Sequence, residues 1–395
     1  MDHGFRTLVC ALHAINLHRS LSNISRIGTC IHCSLRSFKE DTTLNLEDLG
    51  WNPCFQNHYV RQQNDNLIPA RVSFQSRGIY RLITAQGESW AEISGALHDK
   101  ALGPADLPTC GDWVLADNPT GCDRTVIRFL LPRRTAFSRK QAGTTVNSQL
   151  VAANIDTVCL VSGLDSDFNP RRIERYLVIA WESGASPVII LNKADVCNEV
   201  PARIAEAMLL APGVPVLAVS AMDGRGMEDI LSYAGRGQTL ALLGSSGVGK
   251  SSIVNRLLGR SVQEVREIDS DTGRGVHTTS ARQLFLLPSG GLLMDTPGMR
   301  ELQIWAVDAG LDAAFEDIKI LAEGCRFRDC SHQSEPGCRV RASVEQGELD
   351  AERLANYFKL CREAHYIEQK STHSASWVEK ERWKKIAKGV RKLPH

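Results

Sequence analysis

Thr239-Leu240-Ala241-Leu242-Leu243-Gly244-Ser245-Ser246-Gly247-Val248-Gly249-Lys250-Ser251-Ser252 reads as an apolar strand, a glycine-punctuated turn and the start of a helix. An apolar run without alternation suits a strand buried on both faces. Gly244 to Ser251 fits Gly-x-x-x-x-Gly-Lys-Ser, and Ile253, Val254, Leu257 and Leu258 then recur at helical spacing. In that context the backbone N–H groups from Gly244 to Ser252 are expected to wrap phosphates, Lys250 to pair with the β and γ phosphates, and Ser251 to bind Mg2+. The stretch points to an α/β sheet that carries a nucleotide at the carboxyl ends of its strands.

Upstream, Asn192-Lys193-Ala194-Asp195 ends the apolar run Pro187-Val188-Ile189-Ile190-Leu191, and Ser220-Ala221 ends Pro215-Val216-Leu217-Ala218-Val219. The Asp195 carboxylate can accept from both N1–H and the 2-amino group of guanine. Adenine offers neither, so Asn192, Lys193 and Asp195 select guanine nucleotides. At Ser220-Ala221 a backbone N–H can reach guanine O6. Downstream come Thr278-Thr279 and Asp295-Thr296-Pro297-Gly298. Asp295 would hold Mg2+ through water, the Gly298 N–H would meet the γ phosphate, and one of Thr278 and Thr279 would complete the Mg2+ shell, Thr279 being favoured by its spacing. An ordinary small GTPase opens with its phosphate loop and closes with Asn-Lys-x-Asp. Here that order is reversed, which makes the chain a circular permutation.

One part is absent. Signalling GTPases place a water-orienting glutamine after the Asp-x-x-Gly turn, whereas this chain has Met299. His277, beside the switch threonines, is the nearest group able to orient or accept a proton near neutral pH. Its chemistry alone leaves a catalytic and a structural role both open.

The remaining organisation follows from periodicity. Five short runs between Leu67 and Leu131 alternate as strands: 70–74, 78–83, 89–93, 112–116 and 125–129. They predict a small β-barrel of OB type over residues 67–133, preceded by a lead-in over 44–66. Strands at 157–161, 187–191, 215–219, 239–243, 283–287 and 292–294, with a helix at 171–183 as one crossover, predict a doubly wound, circularly permuted P-loop GTPase domain over 134–306. After residue 307 the chain turns helical to about residue 370, interrupted by Cys325-x4-Cys330-x-His332-x5-Cys338, and Leu354, Phe358 and Cys361 fall on one helical face. Three thiolates and one imidazole close a tetrahedral Zn2+ site with no open position, hence a structural metal; a redox or disulfide pairing is the alternative. Arg326, Arg328 and Arg339 give that loop a basic rim suited to RNA phosphate.

The formal charge of the 395 residues is +1, so the average excludes neither nucleic acid nor its absence. Its distribution is uneven. Arg124, Arg128, Arg133, Arg134, Arg139 and Lys140 occur without an intervening acid, and residues 371–395 form a basic tail. Both runs suit phosphate backbones and equally suit a solvated face. No stretch reaches the eighteen or so apolar residues of a membrane span. Cysteines such as Cys159 and Cys197, scattered through apolar segments, fit buried thiols in a reducing cytoplasm. Residues 1–43 lack periodicity and are expected to be disordered; a transit peptide or an extension upstream of the start are further readings. The Cys30, His32 and Cys33 group there closes no tetrahedral site by itself.

With these motifs in place, the chain resembles the ribosome small-subunit-dependent GTPase A family, also called RsgA or YjeQ. The resemblance runs from Leu46-Glu47-Asp48-Leu49-Gly50-Trp51 to about Tyr366. It includes Gly275-Val276-His277-Thr278-Thr279, Asp295-Thr296-Pro297-Gly298-Met299-Arg300-Glu301 and Cys330-Ser331-His332-Gln333-Ser334-Glu335-Pro336-Gly337-Cys338. It implies a GTPase acting late in maturation of the small ribosomal subunit, binding its rRNA, stimulated by that subunit and released after hydrolysis, with His277 as the catalytic histidine. The expected protein is cytoplasmic and monomeric, has no membrane partner, and uses GTP/GDP, Mg2+ and one structural Zn2+. A rival from another class is a nucleotide-gated RNA-binding or chaperone module with vestigial hydrolysis, which Met299 favours and the intact phosphate and Mg2+ residues oppose. The segment before about Thr43 departs from the family pattern.

Overall fold

The structure, a computed structural model, describes residues 44–62, 66–76, 78–117, 124–140, 148–261, 282–295 and 309–367. Strands Leu67–Ser76 (β1), Ile79–Thr84 (β2), Gly87–Ile93 (β3), Trp113–Asp117 (β4) and Arg124–Leu130 (β5) pair in the order β1-β2-β3-β5-β4, and β4 returns to β1. The five strands the alternation predicts thus form a closed barrel. Ala70, Val72, Tyr80, Leu82, Ala91, Val114, Ala116 and Ile127 fill it, and a register shift between Val72 and Phe74 bends β1 where the barrel must curve.

The lead-in is structured. A short 3-10 turn, Leu46–Leu49, precedes helix α1, Pro53–Gln62. Trp51 and Phe55 carry this segment onto the barrel, with the Trp51 and Trp113 rings edge to face at 4.7 Å. Helix α2, Gly95–Lys100, follows β3 and is capped by the Ser94 hydroxyl.

Strands Ala136–Lys140 (β6) and Ser148–Ala153 (β7) form a separate hairpin that the strand runs did not predict. The α/β layer follows: Thr157–Gly163 (β8), α3 Pro170–Ser183, Ser186–Asn192 (β9), α4 Val200–Leu210, Val216–Ala218 (β10), α5 Met227–Leu231, Thr239–Gly244 (β11), α6 Lys250–Leu258, Arg282–Leu286 (β12) and Leu292–Asp295 (β13). The sheet order is β10-β9-β8-β11-β13-β12, parallel except for β12. Every residue of β8 and β11 is buried, as continuous apolar runs require. Helices Ala309–Ala314 (α7), Glu316–Glu323 (α8), Arg339–Glu345 (α9) and 351–367 (α10) complete the described chain. None of the described helices is long and apolar enough to cross a membrane.

Barrel and α/β layer share one hydrogen-bonded sheet, because β12 pairs antiparallel with β1 at Phe74–Gln283 and Gln75–Arg282. Arg71 of β1 fastens the junction from inside. Its side chain is buried and donates to the Leu49 carbonyl, to Gly111 O at 3.3 Å, to Asn154 O at 2.9 Å and to Thr239 Oγ1 at 2.8 Å. Burial lowers its pKa to about 10, which still leaves it charged near neutrality. Gly237, with φ +74°, sits where any Cβ would strike the Glu47 carbonyl, so glycine admits the close approach of the lead-in to the start of β11.

Three arginines of the basic run after residue 124 are paired with carboxylates. Arg128 pairs with Asp117 at 2.7 Å, Arg133 with the fully buried Asp112 at 2.8 Å, and Arg134 with Asp156 at 3.2 Å. These arginines neutralise local carboxylates, a partnering that linear spacing hides because each acid lies 11 to 22 residues away.

Candidate functional site

The carboxyl ends of β10, β9, β8, β11 and β13 line up in that order along one edge of the sheet. They deliver, in turn, Ser220-Ala221, Asn192 to Asp195, the segment after Gly163, the loop from Gly244, and Asp295. The chain runs from β8 outward through β9 to β10 and returns on the other side of β8 as β11. The β8/β11 boundary is therefore the point where strand order reverses, the place such sheets hold their ligands.

Asn192 is buried and binds two loops at once: Nδ2 donates to Val248 O at 2.8 Å, and Oδ1 accepts from Ala221 N at 3.1 Å. Ala194 N donates to Val219 O at 3.0 Å, adding a second tie between the base-reading turns. Ser220 is buried, and its hydroxyl accepts from Asp223 N at 3.3 Å. Lys193 occupies the left-handed region, φ +69°, and its Nζ reaches Asp165 Oδ2 at 2.5 Å. Asp195 is exposed at the rim, where its carboxylate can accept hydrogen bonds from a base edge.

The phosphate loop turns through two left-handed glycines, Gly247 (φ +83°) and Gly249 (φ +93°). Gly249 is confined further, since a Cβ there would collide with Asn192 Nδ2. Lys250 opens α6 and donates to the carbonyl oxygens of Gly244, at 2.8 Å, and Ser245. Ser251 and Ser252, half-buried, follow in the first turn. Ser246 lies at the turn's crest and Val248 is buried beneath it. The geometry brings together Asn192, Ala221 and the stretch from Gly244 to Ser252.

Sequence reasoning missed the loop after β8. Asp165 holds Lys193, while Asp167 Oδ2 accepts from Ser245 Oγ at 2.8 Å and from Arg172 Nη1 at 2.6 Å; Arg172 Nη1 also donates to Ser245 Oγ at 2.8 Å. The available signal was positional: acidic residues just beyond the apolar run Val158 to Val161, in a strand that lies beside the phosphate-loop strand.

Asp295 ends β13, half-buried and in register with Gln283 of β12. His277, Thr278, Thr279, Gly298 and Met299 lie outside the described residues, as do the Cys30, His32 and Cys33 group and the basic tail.

The second cluster sits between α8 and α9. Ligand atoms of Cys325, Cys330, His332 and Cys338 all lie within 4.8 Å of one another. The Cys325 and Cys338 sulfurs are 3.9 Å apart, and each is 3.6 Å from His332 Nδ1. Tetrahedral Zn2+ with bonds of about 2.3 Å to sulfur and about 2.0 Å to nitrogen gives edges of about 3.8 and 3.5 Å. The donor set and spacing fit that ion. His332 reaches its place with φ +59°, and the Glu335 carboxylate accepts from Ser331 N and Gln333 N to shape the turn. Cys338 caps α9, accepting from Arg341 N at 3.4 Å. Among the scattered thiols, Cys159 is fully buried with its pKa pushed up to about 12, whereas Cys197 is only half-buried.

Residues 130–305 match the RsgA GTPase family. The small ribosomal subunit biogenesis GTPase RsgA of Opitutus terrae is 42% identical over 357 residues, covering 88% of this chain and 97% of that protein. A protein of the same description from Vibrio parahaemolyticus, numbered RsgA 2, is 44% identical over 322 residues, covering 82% and 86%. Among solved structures, YjeQ from Thermotoga maritima superposes with a TM-score of 0.57 at 25% identity, covering 75% of this chain and 98% of that one. YloQ, described as a circularly permuted GTPase, shares the fold with a TM-score of 0.55 at 22% identity, covering 77% and 96%.

Proposed function

The chain belongs to the RsgA GTPase family, and we propose that it hydrolyses GTP to time its binding to, and release from, the maturing small ribosomal subunit. The observation that carries this reading is Asn192, whose single amide joins the base-reading loop to both the phosphate loop and the Ser220-Ala221 turn. Such a joint makes recognition of guanine and seating of phosphate one event.

In this reading Asp195 accepts from the guanine edge, and Lys193, steadied by Asp165, flanks the base. The Ser220 and Ala221 N–H groups expected at O6 donate instead to Arg225 O and Asn192 Oδ1, so that turn borders the base without offering those two donors. Backbone N–H groups from Gly244 to Ser252 and the Lys250 ammonium take the phosphates. Ser251, Asp295 and Thr279 would hold Mg2+, which supplies charge neutralisation between the β and γ phosphates when bound. The Gly298 N–H would meet the γ phosphate, one of Thr278 and Thr279 would supply the switch contact, and His277 would orient the attacking water in place of the missing glutamine. Cys325, Cys330, His332 and Cys338 would hold one structural Zn2+ that fixes the loop between α8 and α9. The working division is a barrel over 67–133, the GTPase domain over 134–306 and the metal-bearing helices over 307–370. Barrel and metal-bearing helices would contact rRNA.

Turnover of GTP by the full chain, measured alone, with purified small subunits and with large subunits, tests this. Stimulation confined to small subunits is expected. Equal rates in all three mixtures would favour a nucleotide-gated binding module with vestigial hydrolysis.

A further inference from the structure

The first turn of α3 carries charges that face two ways. Arg172 points to the phosphate loop, donating to Ser245 Oγ at 2.8 Å and to Asp167 Oδ2 at 2.6 Å, while Asp167 accepts the Ser245 hydroxyl. Its neighbours point to the carboxyl-terminal helices. Glu174 is fully buried and accepts from Arg171 Nη1 at 2.6 Å, Arg353 Nη1 at 2.9 Å and Asn356 Nδ2 at 2.6 Å. Arg353 continues in a two-pronged bond to Asp317, at 2.8 and 2.7 Å, and lies 4.8 Å over the Phe315 ring. One turn along, Arg175 makes another two-pronged bond, to Glu363, at 2.7 and 2.6 Å.

Asp317 belongs to α8, which leads into Cys325, and Arg353, Asn356 and Glu363 belong to α10, which follows the helix capped by Cys338. One stretch of α3 therefore touches the phosphate loop through Arg172 and is bonded through the residues beside it to α10, whose Arg353 is bonded in turn to Asp317 of α8, the helix that leads into the Cys/His cluster. We propose that Arg172 is a positioning residue for the phosphate loop and that, through the first turn of α3, it couples phosphate occupancy to the Cys/His-bearing helices. The proposal rests on the GTPase reading above.

The physical path is short. Lys250 donates to the Ser245 carbonyl, and an arriving phosphate competes for that ammonium. Any resulting shift of Ser245 is felt by Arg172, one residue from Arg171 and two from Glu174. An intact α-helical turn moves as a unit, and the buried Glu174–Arg353 pair tolerates few arrangements, so the displacement passes through that pair to α10.

Hydrogen exchange of the full chain, with and without saturating GDP, tests the coupling. In the wild type GDP should slow exchange over 351–367 by about tenfold, within the usual range of coupling between sites. In Arg172→Ala the slowing over 351–367 should fall below about threefold while the slowing over 244–258 persists. Asp167→Ala, which removes the acceptor shared by Arg172 and the Ser245 hydroxyl and leaves the phosphate loop unaltered in sequence, should behave in the same way and keeps the test decisive if Arg172→Ala folds poorly. Arg172→Lys should recover only part of the response, because both bonds come from the terminal Nη1, which lies one bond farther from the backbone than a lysine Nζ. Undiminished slowing over 351–367 in both Asp167→Ala and Arg172→Ala would overturn the proposal. So would its absence in a wild type that protects 244–258 on adding GDP. A wild type with no GDP response anywhere would overturn the GTPase reading and the proposal with it.

Discussion

The Asn192 side chain donates from Nδ2 to the Val248 carbonyl oxygen at 2.8 Å, joining loops 56 residues apart in the chain. The same amide accepts from Ala221 N. Asn192→Ala removes both bonds, and at about 0.5–1.5 kcal/mol each GDP affinity should fall by about 5- to 150-fold. Gly249→Ala should weaken binding as well, because the left-handed φ and the nearby Nδ2 both resist a methyl group. Titration with a fluorescent GDP analogue measures both; wild-type affinity in Asn192→Ala would mean the tether is idle.

The proposed base choice rests on Asp195, which is exposed just beyond β9. GDP and GTP should bind far more tightly than ADP and ATP. Asp195→Asn should move preference toward xanthine nucleotides, whose 2-carbonyl replaces a donor by an acceptor. Competition of XDP against GDP reads the switch, and equal affinity for ADP and GDP in the wild type would refute the assignment.

His277→Ala should remove most of the subunit-stimulated turnover and leave GTP affinity nearly intact, as expected for a residue that orients water and does not hold phosphate. Lys250→Ala should instead impair nucleotide binding. Full stimulated turnover in His277→Ala would assign the histidine a structural role.

The Cys/His cluster should carry about one Zn2+ per chain, as its tetrahedral spacing implies. Cys330→Ser or Cys338→Ala should release it and loosen the turn between α8 and α9, since binding energy and local folding energy are the same quantity there. Elemental analysis of protein purified without chelator checks the stoichiometry. Absence of zinc would remove the site.

Acid should weaken the contact between α3 and α10 at a definable point. Hydrogen bonding from Arg175 holds the Glu363 carboxyl below its ordinary value. A carboxyl lowered in the folded state contributes stability that is complete above its ordinary pKa and lost as pH falls through the lowered one. The wild type should therefore exceed Glu363→Gln in thermal midpoint at pH 7, with the gap closing on acidification below the usual glutamate range. A gap that stays constant to low pH would show that the carboxylate charge contributes nothing.

Legibility in the sequence followed the range of the interactions. The six strands of the α/β layer and the five of the barrel are visible because each is a local run of apolar or alternating residues, and the phosphate loop because its chemistry needs glycine and lysine at fixed spacing. The β6–β7 hairpin escaped because Ser138, Arg139 and Lys140 interrupt any apolar pattern. Helix α1 escaped because its sequence, Pro53 to Gln62, is largely polar and offers only Phe55 to the core. The β1–β12 junction and the Arg71 bonds join residues up to 209 positions apart, Phe74 and Gln283 being the most distant, so no window of sequence contains both halves. Arg133 and Arg134 read as free cations for the same reason. At the site, Asn192 and the phosphate loop were legible as motifs, whereas Asp165, Asp167 and Arg172 belong to no motif and acquire a role only when β8 and β11 become neighbours.

The strand order also sets a schedule for synthesis. β8, β9 and β10 leave the ribosome before β11, so Asn192 is made ahead of the Val248 carbonyl it will bind. At about 5–20 residues per second, the 56 intervening residues take roughly 3–11 s. Through that interval the nascent chain holds the guanine-selecting half of a pocket without the half that grips phosphate. In the conventional order the phosphate half comes first, and a nucleotide could begin to template folding from its charged end. Here the nucleotide can assist only after the phosphate loop, third of the five motifs in chain order, has emerged.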